Sequence, residues 1–196
     1  MLIYNNCQLK QFYQKCQKDK IIAIDTEFYR VSTYFPKLCL IQLSSLDSSF
    51  ILDPIKTKLD LNILKEILGN PKIKKIFHSA SQDIEIFYNL FKEIPKSVFD
   101  TQICLMPLGY SNSTSYANAC QELLKVKIPK DNQFTDWRKR PLSKEKVNYA
   151  LNDVKYLIPL YKIIMKKLKI LNRSSWEKEM HEKLLNKKNF CQKKKF

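Results

Sequence analysis

No apolar run in the chain approaches the roughly 20 residues that a membrane-spanning helix needs. The opening MLIYNNCQLKQFYQKCQKDK is polar and lysine-bearing where a secretion signal has a continuous apolar stretch. We therefore expect neither a spanning segment nor a secretion signal, and the cytoplasm is the expected compartment. No CxxC pair occurs among Cys7, Cys16, Cys39, Cys104, Cys120 and Cys191, and their spacings are irregular. That argues against a zinc site and against a disulfide framework. Arginine is scarce: among 35 Lys and Arg only Arg30, Arg138, Arg140 and Arg173 are Arg, and glycine occurs twice. Such usage is what a biased genome composition produces. No internal repeat and no second domain is visible.

What is present is a folding chain. Hydrophobic residues make up 44% of the 196 residues and are spread along the whole length, enough for one full core. The formal net charge of +16 points to a polyanionic partner, because basic side chains release condensed counterions from nucleic acid. From Lys162 onward there are 12 Lys or Arg against 3 Glu, so nine of the sixteen net charges gather there. We expect one main domain over 1–170, followed over 171–196 by a further helix (174–185) and a solvated basic tail, NKKNFCQKKKF.

Strand-like and helix-like segments alternate, which predicts an α/β domain. IIAID, LCLIQLS, SFILD, KIKKIF and SVFD read as strands, being short apolar runs bounded by turn or charged residues. LDLNILKEILGN reads as a short helix with Gly69 at its C-terminal cap. Ser79 and Gln82 stand at capping-box separation before Ile84, Phe87, Tyr88 and Phe91, so Asp83 is predicted to open a helix. TQICLMPL and SYANACQELLKV are helix-compatible, and 128–141 reads as a loop. The strongest periodicity runs from Ser143 to Leu168 and predicts one long core helix, kinked at Pro159. Tyr149 and Asp153, one turn apart, share a face at the border of its apolar stripe.

Four acids stand out against this frame. Asp25 and Glu27 end an apolar segment one residue apart, which puts both on the same side of an extended strand. Their repulsion costs free energy unless a cation screens it. Asp83 and Asp153 add carboxylates from separate points. Oxygen-only ligands suit hard cations such as magnesium or manganese, and two such ions can clamp both oxygens of an in-line phosphoryl displacement. Each acid alone is more often a cap or a surface charge than a ligand, as Asp53 in LDP and Asp100 in FDT illustrate.

The stretches DTEFYRVSTYFPKLCLIQLS, IFHSASQDIEIFYNLF, FDTQ, FTDWRKRPLS and YALNDVKYL resemble, in order and spacing, the exonuclease domain of ribonuclease D, within the DEDD superfamily of 3′-5′ exonucleases. The resemblance runs from about residue 21 to 161. It implies a ribonuclease H-like three-layer fold, a central mixed β-sheet flanked by helices. Asp25 and Glu27 match the first exonuclease motif, Asp83 the second, and Asp153 with Tyr149 the third. Asn148 stands where the sister subgroup has a histidine, so the likeness is to the tyrosine subgroup.

The activity implied is metal-dependent hydrolysis of the terminal phosphodiester of RNA 3′ ends, releasing nucleoside 5′-monophosphates. Asp25, Glu27, Asp83 and Asp153 would hold two divalent cations, Mg²⁺ or Mn²⁺. Tyr149 would orient the attacking water, since a free tyrosine titrates near pH 10. Phe28 is a candidate wedge against the terminal base and equally a buried strand residue. His78 and Gln82 border Asp83 and are candidates to touch the terminal nucleotide, and Arg138 and Arg140 to meet phosphates. Ribonuclease D enzymes continue into HRDC modules, and the resemblance here is expected to be to a compact form lacking them. A nanoRNase C-like oligoribonuclease acting on dinucleotides, of a type that assembles into rings, is the alternative and leaves a homo-oligomer open. A nonhydrolytic nucleic-acid-binding module and a DNA exonuclease are further readings.

Overall fold

The computed structural model describes residues 2–31, 33–129 and 135–190. Six strands form one sheet: β1 (Leu2–Ile3), β2 (Ile21–Tyr29), β3 (Lys37–Ser44), β4 (Ser49–Leu52), β5 (Lys74–Phe77) and β6 (Val98–Asp100). Their order is β1-β4-β3-β2-β5-β6. Pairs β2/β3 and β3/β4 are antiparallel, while β1/β4, β2/β5 and β5/β6 are parallel, so the sheet is mixed as expected.

Because successive strand residues face opposite ways, each strand feeds two cores. On one face Ile22, Ile24, Ile41, Leu43 and Phe77 pack against α1 (Asn6–Asp19), α2 (Asn62–Gly69) and α3 (Ser81–Phe91). On the other, Ala23, Ile76 and Phe99 pack against α4 (Thr101–Leu105), α5 (Tyr116–Leu124) and α7 (Leu157–Ile170). Over β2, β3 and β4 on that second face lies α6 (Lys144–Lys155). The result is three layers. No helix among the described residues is long and apolar enough to cross a membrane.

Four local expectations need correction. The polar opening forms α1, which the sequence reading did not assign. Asn5 caps it by accepting from the Gln8 N–H, and Leu9, Phe12 and Cys16 bury one narrow face. Ser79 and Gln82 do not form a capping box. Ser79 takes a left-handed φ of 61°, and its N–H and that of Ala80 donate to the Asp100 carboxylate at 3.0 and 2.8 Å. Asp83 falls, as expected, in the first turn of α3.

The third correction concerns the long helix, which is broken at Tyr156 instead of kinked at Pro159. Proline clashes with the carbonyl four residues back, at Lys155, where α6 stops. Within the first turn of α7, Pro159 has no intrahelical donor to lose. The Tyr116 hydroxyl bridges the break, accepting from the Tyr156 N–H at 3.0 Å and donating to the Asn152 carbonyl at 2.9 Å. Lastly, Phe190 is buried against the α1–α3 core, so the basic end is not all solvated. Cys191 and the rest of the expected tail, and 130–134 of the expected loop, lie outside the described residues.

The expected helix from Ser174 is α8 (Ser174–Leu184). Its His181 is buried and reaches the sheet: Nε2 accepts from the Asp100 N–H at 2.7 Å, which leaves the ring proton on Nδ1 to donate to the Glu177 carbonyl, also at 2.7 Å.

Candidate active site

Strand β2 pairs with β5 only through Ala23 and then runs on, so from Asp25 its edge on that side is free of a strand. The start of α3 comes up against this edge. There the Thr26 hydroxyl donates to Oδ1 of Asp83, and Arg30 forms a salt bridge with Glu85 at 2.8 Å. A bulge between Glu27 and Phe28, where Cys39 is the extra residue of β3, adds local twist just past the two acids. Asp25 and Glu27 face the second layer, where α6 carries Tyr149 and Asp153 over them.

One oxygen from each of Asp25, Glu27 and Asp153 lies within 4.8 Å of the others. Asp83 stands beside this trio, close enough that its charge acts on Glu27 and that of Asp25 acts on it. Burial, more than any neighbour, pushes all four carboxyls up. Asp25 is driven well above its ordinary value by burial and then by Asp153, and Asp83 by burial and then by Asp25. Glu27 is pushed to about 10 by burial, then by Asp25, Asp153 and Asp83. Asp153 rises to about 7 by burial, held back by a hydrogen bond from the Tyr149 hydroxyl. Burial, then Asp153, Glu27 and Asp25, raises Tyr149 above the usual tyrosine range. Carboxylates at this spacing with no cationic side chain among them fit hard divalent cations, which would restore their ionised forms.

The other expected residues fall into two groups. Gln82 is exposed at the start of α3, and Phe28 is part-buried on β2 beyond the bulge. Arg138 lies half-exposed over the Tyr29 ring at 3.6 Å and grips Asp136 with two hydrogen bonds of 2.9 Å. His78 and Arg140, in contrast, have their nitrogens occupied by the protein itself. His78 bonds through Nδ1 to the Thr101 hydroxyl at 2.8 Å and through Nε2 to the Thr114 carbonyl at 3.0 Å. Arg140 donates to both oxygens of Asp53, at 2.6 and 2.8 Å, and to the carbonyls of Cys39, Trp137 and Lys139.

Three residues here were not singled out from sequence. Thr26 supports Asp83. Tyr116 lines, with Ser115, Ile128, Pro129, Tyr149 and Asp153, a cavity of about 130 Å³ beside the acids. Gln42 sits directly opposite Asp25 in the β2/β3 register, fully buried, and neither atom of its amide has a partner. Its one visible signal is a polar residue inside the apolar run LCLIQLS. A larger groove of about 670 Å³, between the β3–β4 turn and the α6–α7 break, contains none of the four acids.

A 3′-5′ exonuclease family profile matches residues 1–169. Ribonuclease D of Bartonella henselae is 39% identical over 189 residues, which is 96% of this chain and 47% of that protein. RNase D of Escherichia coli superposes with a TM-score of 0.89 at 32% identity, over 97% of this chain and 50% of the other. NrnC of Brucella melitensis, solved with bound Mg²⁺, gives a TM-score of 0.75 at 27% identity, over 86% of this chain and 83% of the other. The chain spans about half the length of the curated ribonuclease D relatives it matches. With its four acids and tyrosine in place on this fold, the chain belongs to the 3′-5′ exonuclease family.

Proposed function

We propose that the chain hydrolyses the 3′-terminal phosphodiester of RNA and releases nucleoside 5′-monophosphates, using two divalent cations, Mg²⁺ or Mn²⁺. The observation that carries this is the convergence of Asp25, Glu27 and Asp153 on one point with Asp83 alongside. The bound ions would supply the charge that activates water and stabilises the transferring phosphoryl group. Asp25, Glu27 and Asp153 would hold one of them, Asp25 with Asp83 the other. Tyr149 stays protonated through neutral pH, so its hydroxyl is a donor that orients water or a phosphate oxygen. Glu27 is the side chain placed to take the proton that water gives up.

Around this centre the surface fits a 3′ end. Phe28 and Gln82 would meet the terminal nucleotide, and Arg138 a phosphate behind it. His78 would act by tying the approach to α3 to Thr101 and Thr114, and Arg140 by tying its own loop to Asp53 and Cys39. Residues 1–170 form the exonuclease unit, with 171–196 as an extension whose α8 packs back on it through His181. A second reading, action on dinucleotides, is favoured by the likeness to NrnC of Brucella melitensis, which has been solved bound to pGG.

Digestion of 5′-labelled RNAs, from two nucleotides to a full transfer RNA, with Mg²⁺ or Mn²⁺ and an Asp153→Ala control, decides between them. A ladder of shortening products on long RNA supports 3′-end trimming. Cleavage confined to dinucleotides selects the second reading, and parental activity in Asp153→Ala removes the site from the reaction.

A further inference from the structure

A glutamine amide has two donor hydrogens and a carbonyl acceptor, and burying them without partners is costly, so natural cores seldom do it. Gln42 is 0% exposed, and both its Nε2 and its Oε1 lack a hydrogen-bond partner. On its own face of the sheet its neighbours along and across the strands are Leu40, Ile51 and Ser44; the first two offer nothing polar, and the Ser44 hydroxyl is engaged with Ser49 and with the carbonyls of Ser45 and Ser48. α6 covers this face, presenting Ala150 toward it. The one polar side chain directly across is Asp25, whose Cα pairs with that of Gln42 in the antiparallel register. Residues so paired point the same way, with Cβ atoms about 5 Å apart.

Asp25 is equally short of partners. Apart from the backbone N–H of Thr26, only burial and the charge of Asp153 act on it. A carboxylate that gives one oxygen to a cation still has lone pairs on the other. Ligating carboxylates are ordinarily held by a hydrogen bond from behind, which fixes their orientation. A neutral amide suits that post: it donates without competing for the ion and without titrating.

We infer that Gln42 is the positioning residue of Asp25, its amide N–H groups turning to the Asp25 carboxylate when that group is ionised and holding a cation. The inference rests on the metal-dependent reading of the four acids given above. It explains why a polar residue stands at the centre of β3 where its neighbours Ile41 and Leu43 are aliphatic. Trp137, whose buried Nε1 is likewise without a partner among the described residues, belongs to the same cluster as Leu40, Ile51 and Ala150.

The test uses the full chain with Gln42→Met, which keeps length and removes the donors, and Gln42→Leu as a second variant. Mn²⁺ affinity is read by calorimetry, melting temperature in EDTA and in saturating Mn²⁺, and kcat and KM on a short RNA. Mn²⁺ affinity should fall about 10- to 100-fold. The melting temperature in EDTA should hold or rise, because an orphaned amide has been removed, and kcat should fall with KM unchanged. A variant that melts lower in EDTA but binds Mn²⁺ within about twofold of the parent overturns the inference and makes Gln42 structural. A parent that binds no Mn²⁺ overturns it together with the metal reading. A parent that binds Mn²⁺ without cutting RNA sinks the exonuclease proposal alone, and a weakened affinity in Gln42→Met still supports the positioning role.

Discussion

Two sets of acids in this molecule are treated in opposite ways. Asp53 after β4 and Asp100 at the end of β6 are 4% and 1% exposed, and both are filled with donors. Asp53 takes the Arg140 fork and the N–H groups of Ile55 and Lys56, and Asp100 takes the N–H groups of Ser79, Ala80, Gln102 and Ile103. Asp25, Glu27, Asp83 and Asp153 instead face one another, and the donors found on them among the described residues are the hydroxyls of Thr26 and Tyr149 and the backbone N–H groups of Thr26 and Asp83. Burial therefore does not mark a working acid; what stands opposite it does. The first set stabilises the native state as it is, and the second raises its energy until cations arrive.

The sharpest way to break this contrast is Asp25→Asn. RNA hydrolysis should fall about 10³- to 10⁴-fold, corresponding to the several kcal/mol a lost metal site removes. The melting temperature in metal-free buffer should stay level or rise, since one of several repelling carboxyls is gone. Asp53→Ala should do the reverse. Leaving Arg140 buried without its partner costs about 3–5 kcal/mol of stability. Mn²⁺ affinity of the folded fraction, measured by titration, should be little changed.

Two smaller effects refine the comparison. Tyr149→Phe removes the donor to Asp153 but no metal ligand, so kcat should drop about 10- to 100-fold while Mn²⁺ affinity stays within a few-fold. Finally, the folded-state values of Glu27, about 10, and Asp153, about 7, lie above their ordinary 4.5 and 3.8. For groups raised on folding, stability is fully present below the unfolded pKa and is lost as pH rises toward the folded one. In EDTA the protein should thus melt higher at pH 5 than at pH 8. Saturating Mn²⁺ should flatten or invert that slope, which a pair of melting series would show.

The sequence was readable where a pattern is local and the chemistry obligatory. Five of the strands were legible as apolar runs, and the acids were legible because two carboxylates one residue apart on a strand have no structural use. Asp53 and Asp100 illustrated the ambiguity, and only their donors resolved it: the Arg140 fork comes from 87 positions away. The helix α1 was hidden because its buried face is narrow, Leu9, Phe12 and Cys16 among lysines and glutamines. Ser79 and Gln82 carried a genuine capping spacing, but Asp100 claimed the backbone N–H groups first. Gln42 and Thr26 lie in strands whose apolar pattern conceals them. His181 carries no local signal of its place; its ring is fixed by the Asp100 N–H, 81 positions away.

The interruption at Tyr156 gives α6 an axis of its own. α7 is sunk in the core through Leu157, Leu160, Ile164 and Leu168, whereas α6 buries only Ala150 and Val154 completely and brings Tyr149 and Asp153 over the strands. Had the two formed one rod, the height of Asp153 above β2 would be dictated by packing three turns away. Divided, the shorter piece can settle to the depth its carboxylate requires, and a single phenol, Tyr116, indexes the two pieces against each other.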